Sequence, residues 1–239
     1  MTISLTRLAT TRSRSRLQLM KIDSHQHFWI VGKFDYPWMS PSLGVLYRDY
    51  LPSDLKPILK SAGIDKTIVV QASPSVVETD WLLELAGQHD FIAGVVGWLD
   101  LEDEHFPKQL ERYRCNRKFI GIRPAVEFIP DDTWLIKPRV LKSLSLIAET
   151  GFPMDLIVWP RHLSSVVEML RKLPNLRCVV DHLAKPDVKE HKLEPWRQQI
   201  AEIAQNKNAF CKLSGILTMA DHKNWMVEDI QPYVDHVLA

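Results

Sequence analysis

Two histidines separated by one residue in a strand place both rings on the same side of the sheet. Asp23-Ser24-His25-Gln26-His27 holds such a pair directly after Lys21-Ile22. With Ile22 and Ser24 facing outward, His25 and His27 project together inward. Two imidazoles on one face make half of a zinc site or a pair placed for catalysis. The same spacing also arises by chance, so the residues around it decide. The richest of these is Val179-Val180-Asp181-His182-Leu183-Ala184-Lys185-Pro186, where an apolar run ends in titratable groups. Burying such groups is costly without partners, so a charged cluster just past a core strand points to a site. Asp181 is a candidate to fix the tautomer of a neighbouring imidazole. Arg123, in Gly121-Ile122-Arg123-Pro124, suits a carboxylate or a developing oxyanion; a surface ion pair is the plainer reading. Gln71 and Asp100 each end an apolar run, and both are more simply read as polar residues at strand ends. Lys212, in Cys211-Lys212-Leu213-Ser214-Gly215, either binds an anionic group or snorkels to water. Trp29 and the Tyr36-Pro37-Trp38 run could wall a pocket or simply plug the fold.

The elements that must position these residues alternate. Short β-branched runs predict strands at 21–27, 67–72, 92–99, 119–125, 154–158, 177–181 and 210–213. Helical periods fall between them. One opens at Pro52-Ser53-Asp54 and stops at Gly63; others cover 78–89, 140–149, 162–173, 194–205 and 227–238. Glu102-Asp103-Glu104 is read as a solvated helix entry. Near-continuous apolar strands such as Ile68-Val69-Val70 belong to sheets covered on both faces. The alternation therefore predicts an α/β fold of βα units. It is either an open doubly wound sheet or a (β/α)8 TIM barrel. No Gly-rich phosphate loop is seen. Polar residues recur at the C-terminal ends of strands, where barrels keep their chemistry, and this favours the barrel.

The 239 residues are 46% hydrophobic and 25% charged, ordinary for a folded globule. The net charge of +1 argues against a nucleic-acid partner. No stretch reaches the ~18–20 apolar residues of a membrane span. Three scattered cysteines make neither a disulfide framework nor a CxxC site and fit a reducing, cytoplasmic compartment. Residues 1–20 are rich in Arg, Ser and Thr without acids, and are read as an extension outside the fold. A mitochondrial address is the alternative if they act as a transit peptide. The barrel is assigned to residues 21–239.

Taken together, DSHQHFW (23–29), VVQA (69–72), GIRP (121–124), DLIVWPRHL (155–163), VVDHLAKP (179–186) and CKLSG (211–215) resemble the amidohydrolase-related lactonase family. That family includes fuconolactonase-like, rhamnonolactonase-like and 2-pyrone-4,6-dicarboxylate lactonase enzymes. The resemblance spans residue 21 to about 238, and DHLAKP followed by CKLSG is its most branch-specific part. It implies a metal-dependent-hydrolase barrel that opens a sugar-acid or muconate-type lactone by water attack on the ring carbonyl. His25, His27, His182 and Arg123 are the implied catalytic residues, with His25 and His27 as metal ligands. Gln71, Lys212 and Trp29 are the expected substrate contacts. The expected cofactor is one divalent ion, zinc first, or none. The expected partner is a small-molecule lactone, with no nucleic acid and no membrane. The usual lysine or glutamate ligand at the fifth strand has no evident counterpart in 155–159.

Relatives carry an eighth strand with a GSDWP-like segment whose aspartate activates water. No such segment follows the last helix here, and Asp221, Asp229 and Asp235 fall on helix or loop patterns. Met219 stands where many relatives have glutamate. The expectation is a barrel lacking its eighth strand, with open edges on the first and seventh and a general-base contribution of about 10²–10⁴-fold missing. The rival readings are a metal-dependent decarboxylase of the same superfamily and a non-catalytic fragment.

Overall fold

The computed structural model describes residues 20–239; the expected N-terminal extension lies almost wholly outside the described residues. The strands are β1 (Ile22–Gln26), β2 (Lys66–Val70), β3 (Ile92–Gly97), β4 (Phe119–Ile122), β5 (Met154–Leu156), β6 (Cys178–Val180) and β7 (Ala209–Cys211). The helices are α1 (Pro52–Ala62), α2 (Val76–Gln88), α3 (Phe106–Arg114), α4 (Pro138–Thr150), α5 (Leu163–Lys172), α6 (Trp196–Ala204) and α7 (Val227–Leu238). All seven expected strands form, each shorter at its C-terminal end than the apolar run suggests. The trimmed residues become the loops that carry the polar groups. α3 follows the acidic run read as a helix entry at 102–104, though its body was not placed from sequence: Phe106, Leu110 and Tyr113 bury one of its faces.

The sheet order is β1-β2-β3-β4-β5-β6-β7, and each strand pairs parallel with the one before it. A doubly wound sheet would reverse its order at a switch point, so that alternative is excluded. Laid flat, six strand spacings of about 4.8 Å would put β1 and β7 roughly 29 Å apart. Instead Lys212, just past β7, places its Nζ 2.9 Å from Nδ1 of His25 on β1. The sheet is therefore curled into a barrel. Among the described residues it has seven strands, and β1 and β7 do not pair with each other. β7 keeps the character of an edge, with Phe210 62% exposed.

Burial of the apolar faces drives the curl. Val69, Val95, Ile122, Leu156 and Val180 are buried on the strands, while Leu82, Leu144, Val166 and Trp196 cover them from the helices. Parallel pairing puts the C-terminal ends of β1, β2, β4, β5, β6 and β7 at one rim. His27, Gln71, Arg123, Asp181 and Lys212 stand at or just past those ends.

Candidate active site

His27 follows β1 directly, and its Nδ1 donates to the Val70 carbonyl at 2.8 Å. That bond leaves the Nε2 lone pair free. His25 Nδ1 accepts from the Lys212 ammonium, and His25 Nε2 lies 3.1 Å from His27 Nε2. The two rings meet edge to face at 4.9 Å. The inward projection read from the i, i+2 spacing thus holds. Asp181 does not fix the His25 tautomer, because its nearer oxygen is 3.8 Å from Nδ1. The Lys212 ammonium occupies that role.

Beneath the imidazoles lies a buried ion cluster. Arg123 Nη1 donates to Asp181 Oδ2 at 3.0 Å. Lys212 Nζ lies 2.9 Å from Asp181 Oδ1 and also grips Asp155 on β5. Two carboxylates thus balance two cations in a region that excludes water. Burial alone would raise the Asp181 carboxyl, but Arg123 and Lys212 outweigh it and hold it below the ordinary range. Burial, then the Asp181 charge, pushes Asp155 up. Burial lowers all three histidines, His27 to about 3, so the rings are neutral at physiological pH.

His182 reaches the same place by an unusual backbone. Residues 182–185 run through four consecutive left-handed conformations, with φ of 51°, 55°, 57° and 51°. None is glycine, and each left-handed non-glycine residue costs about 1–2 kcal/mol. The Trp196 indole N–H donates to the Leu183 carbonyl inside this turn, at 2.6 Å. The result brings the His182 ring to 4.7 Å from the His25 ring, with Nδ1 2.9 Å from Ser214 Oγ. Gly215 packs against it: a Cβ there would lie 2.9 Å from the ring.

These groups open onto a cavity of about 470 Å³ lined by His25, His27, Gln71, Arg123 and His182. Trp29 and Trp38 line it too, in an edge-to-face pair at 5.3 Å. Of the expected substrate contacts, Trp29 and Gln71 face this space. Gln71 is also structural: its amide donates to the Arg123 carbonyl at 3.1 Å, and its own carbonyl accepts from the Arg123 guanidinium. Lys212 does bind anionic groups, but they are the protein's own: its ammonium holds two carboxylates and an imidazole, and it is not among the residues that line the cavity. Asp155, Glu127, Lys185 and Gly215 were missed. A carboxylate inside the buried strand Met154–Leu156 was a usable signal for Asp155; Glu127 gave none.

The residues can be tested against a metal ion. Two zinc–nitrogen bonds of about 2.0–2.1 Å at a tetrahedral angle separate the nitrogens by roughly 3.3 Å, close to the 3.1 Å between His25 Nε2 and His27 Nε2. The donor types suit a borderline divalent ion. His25, Asp181 and His182 also offer ligand atoms within 4.8 Å of one another. The site fits such an ion, and binding would displace the proton that His25 shares with His27.

A curled parallel α/β sheet with paired histidines at its first strand and charged residues at its C-terminal rim defines an amidohydrolase-type barrel. The Amidohydrolase (Amidohydro_2) family profile matches residues 22–239, and the chain belongs to that family. It is 36% identical over 214 residues to the L-fucono-1,5-lactonase of Burkholderia ambifaria, covering 90% of this chain and 73% of that one. A crystal structure of a Burkholderia multivorans amidohydrolase with bound zinc superposes with a TM-score of 0.84 at 32% identity, covering 92% of this chain and 80% of that one. A probable 2-pyrone-4,6-dicarboxylic acid hydrolase from Acinetobacter baumannii shares the fold, with a TM-score of 0.73 at 15% identity over 91% of this chain and 77% of that one. Among the described residues no helix is long and apolar enough to cross a membrane.

Proposed function

We propose that this chain hydrolyses a sugar-acid lactone, with water attacking the ring carbonyl and the ring oxygen leaving as the alcohol of the open acid. The observation that carries this reading is the convergence of three neutral imidazoles on one cavity, with His25 and His27 nitrogens 3.1 Å apart. The 36% identity to a lactonase supports it. His25 and His27 would hold one divalent ion, zinc by donor type, which when bound supplies Lewis acidity at the carbonyl. His182 takes the complementary part: with the Ser214 hydroxyl donating to Nδ1, its Nε2 carries the proton and donates to the developing oxyanion. One such donor is worth about 2.7–4 kcal/mol in the transition state. Arg123, fixed by Asp181 and Gln71, adds positive potential to the same wall. Trp29 and Trp38 supply apolar faces for the ring. The free thiols of Cys115, Cys178 and Cys211 support a reducing, cytoplasmic setting.

The test is acid release from L-fucono-1,5-lactone, followed with a pH indicator, for the native chain and for His182→Ala. Turnover lowered about 10²–10³-fold by the substitution is expected. Full activity in His182→Ala overturns the assignment. Carbon dioxide release from an aromatic acid, in place of lactone opening, would move the chain to the decarboxylases.

A further inference from the structure

The cavity carries a second polar group that the hydrolytic chemistry does not use. Glu127 stands in a short 3-10 turn (Val126–Phe128) after β4, and Lys185 ends the left-handed turn after β6. Both line the same cavity as His25 and His182. They form an ion pair across two loops, each side chain 14% exposed. The Lys185 ammonium also lies 4.5 Å from the Trp159 ring centre, which fixes its stem. An ammonium has three protons and a carboxylate about four lone-pair sites. One mutual bond leaves both groups with donors and acceptors to spare.

The charge balance restricts what these can read. The two cations that line the cavity, Arg123 and Lys185, are each bound to a carboxylate. Apart from the divalent ion that His25 and His27 would hold at the carbonyl, a ring bearing carboxylates meets no unmatched positive charge there. A ring bearing adjacent hydroxyls meets an ammonium that donates and a carboxylate that accepts, with indole faces of Trp29 and Trp38 in the same space.

We propose that the Glu127–Lys185 pair is the specificity determinant of this cavity, reading neighbouring hydroxyls of a neutral, polyhydroxylated lactone and discriminating against lactones that carry carboxylates. This rests on the lactonase reading, so the experiment has two arms. In the first, the native chain, Glu127→Gln and Lys185→Met are assayed on three lactones. These are L-fucono-1,5-lactone, δ-valerolactone (the bare six-membered ring) and 2-pyrone-4,6-dicarboxylate. Both substitutions should lower the ratio of kcat/KM for the hydroxylated over the bare lactone by about tenfold or more, the size of a hydrogen bond to a charged group. Glu127→Gln, which unmasks the Lys185 charge, should also shift preference toward the dicarboxylate. Ratios within twofold of native in both variants overturn the proposal.

In the second arm, L-fucose, which has the hydroxylated ring but no acyl carbon, is titrated against tryptophan fluorescence. Its Kd should rise about tenfold in Lys185→Met. If no lactone is turned over but this binding is present and pair-dependent, the lactonase reading fails and the proposal stands. Binding that is equal in native and variant, or absent from the native chain, overturns it. Glu127→Gln is nearly isosteric, and its near-ultraviolet circular dichroism separates loss of fold from loss of recognition.

Discussion

Replacing Gly215 by alanine isolates what holds His182 in place. Gly215 has φ +67°, and an added Cβ would stand 2.9 Å from Cγ and Nδ1 of the His182 ring. Carbon contacts settle at about 3.5–4.0 Å, so ring or loop must yield by roughly 0.6 Å or more. A displacement of about 1 Å at a reacting group costs on the order of 10²-fold. Gly215→Ala should therefore lose about tenfold or more in kcat/KM on L-fucono-1,5-lactone. The left-handed backbone adds a stability cost of about 1–2 kcal/mol, roughly 2–8 °C in Tm for a domain this size. Gly63 is the control: its φ is +65° and its Cβ would meet nothing within 4 Å. Gly63→Ala bears the same backbone strain without touching the site. Calorimetry should show a loss of Tm in both variants, larger in Gly215→Ala because the ring must also move, with lost turnover only in Gly215→Ala. Equal turnover in both would refute the reasoning that His182 acts from the position Gly215 permits.

Asp181 is fully buried between Arg123 and Lys212. Asp181→Ala strands Arg123, while Lys212 keeps Asp155, and should cost about 3–5 kcal/mol in denaturant unfolding, with Asp181→Asn milder because one acceptor oxygen remains. Glu78 accepts from the Ala72 and Ser73 amides, yet burial pushes it up to about 8 from an ordinary 4.5. The folded state then holds a proton that the unfolded chain loses between those values. Its contribution is whole below about 4.5 and declines as pH rises through about 8. Glu78→Gln should flatten that part of the stability profile, and an unchanged slope would count against the shift. Zinc added to metal-free protein should raise Tm, by about 2.7 kcal/mol of stabilisation at a hundredfold excess over Kd. His27→Ala should abolish both the rise and the bound stoichiometry by elemental analysis.

The strands were legible because buried parallel strands advertise themselves as β-branched runs, as in Val69-Val70 and Cys178-Val179-Val180. The His25–His27 pair was legible because strand period two is rigid. Of α3 only the acidic entry at 102–104 was read, although Phe106, Leu110 and Tyr113 share a face, since Pro107 reads as a breaker unless it is placed in the first turn, where it is tolerated. The anionic partners of Lys212 could not be named for a different reason. Sequence fixes which side of a strand a residue takes, but Asp155 is 57 positions away and meets Lys212 only because the sheet curls. The left-handed run at 182–185 had no signal at all: local preference opposes that conformation for histidine, leucine, alanine and lysine alike.

That opposition and the buried ions bear on the same point. Four left-handed residues cost several kcal/mol on the per-residue scale of about 1–2. A buried cluster such as Arg123–Asp181–Lys212–Asp155 is often no more stable than apolar residues of like volume. Neither feature helps the barrel fold, and both stand at one rim. The turn delivers His182 and Lys185 to the cavity; the cluster fixes Arg123 and, through Lys212, His25. Strain of this kind persists where the surroundings over-determine it, and here the Trp196 indole bond to the Leu183 carbonyl supplies part of that restraint. The stability given up in the turn and the ions thus has a direct counterpart in side-chain aim. An Ala184→Gly variant gives up one buried methyl, about 0.8 kcal/mol, against about 1–2 kcal/mol of relieved strain, so it should gain slightly in stability and lose turnover as His182 gains freedom. A variant that gained both would break the link between the two.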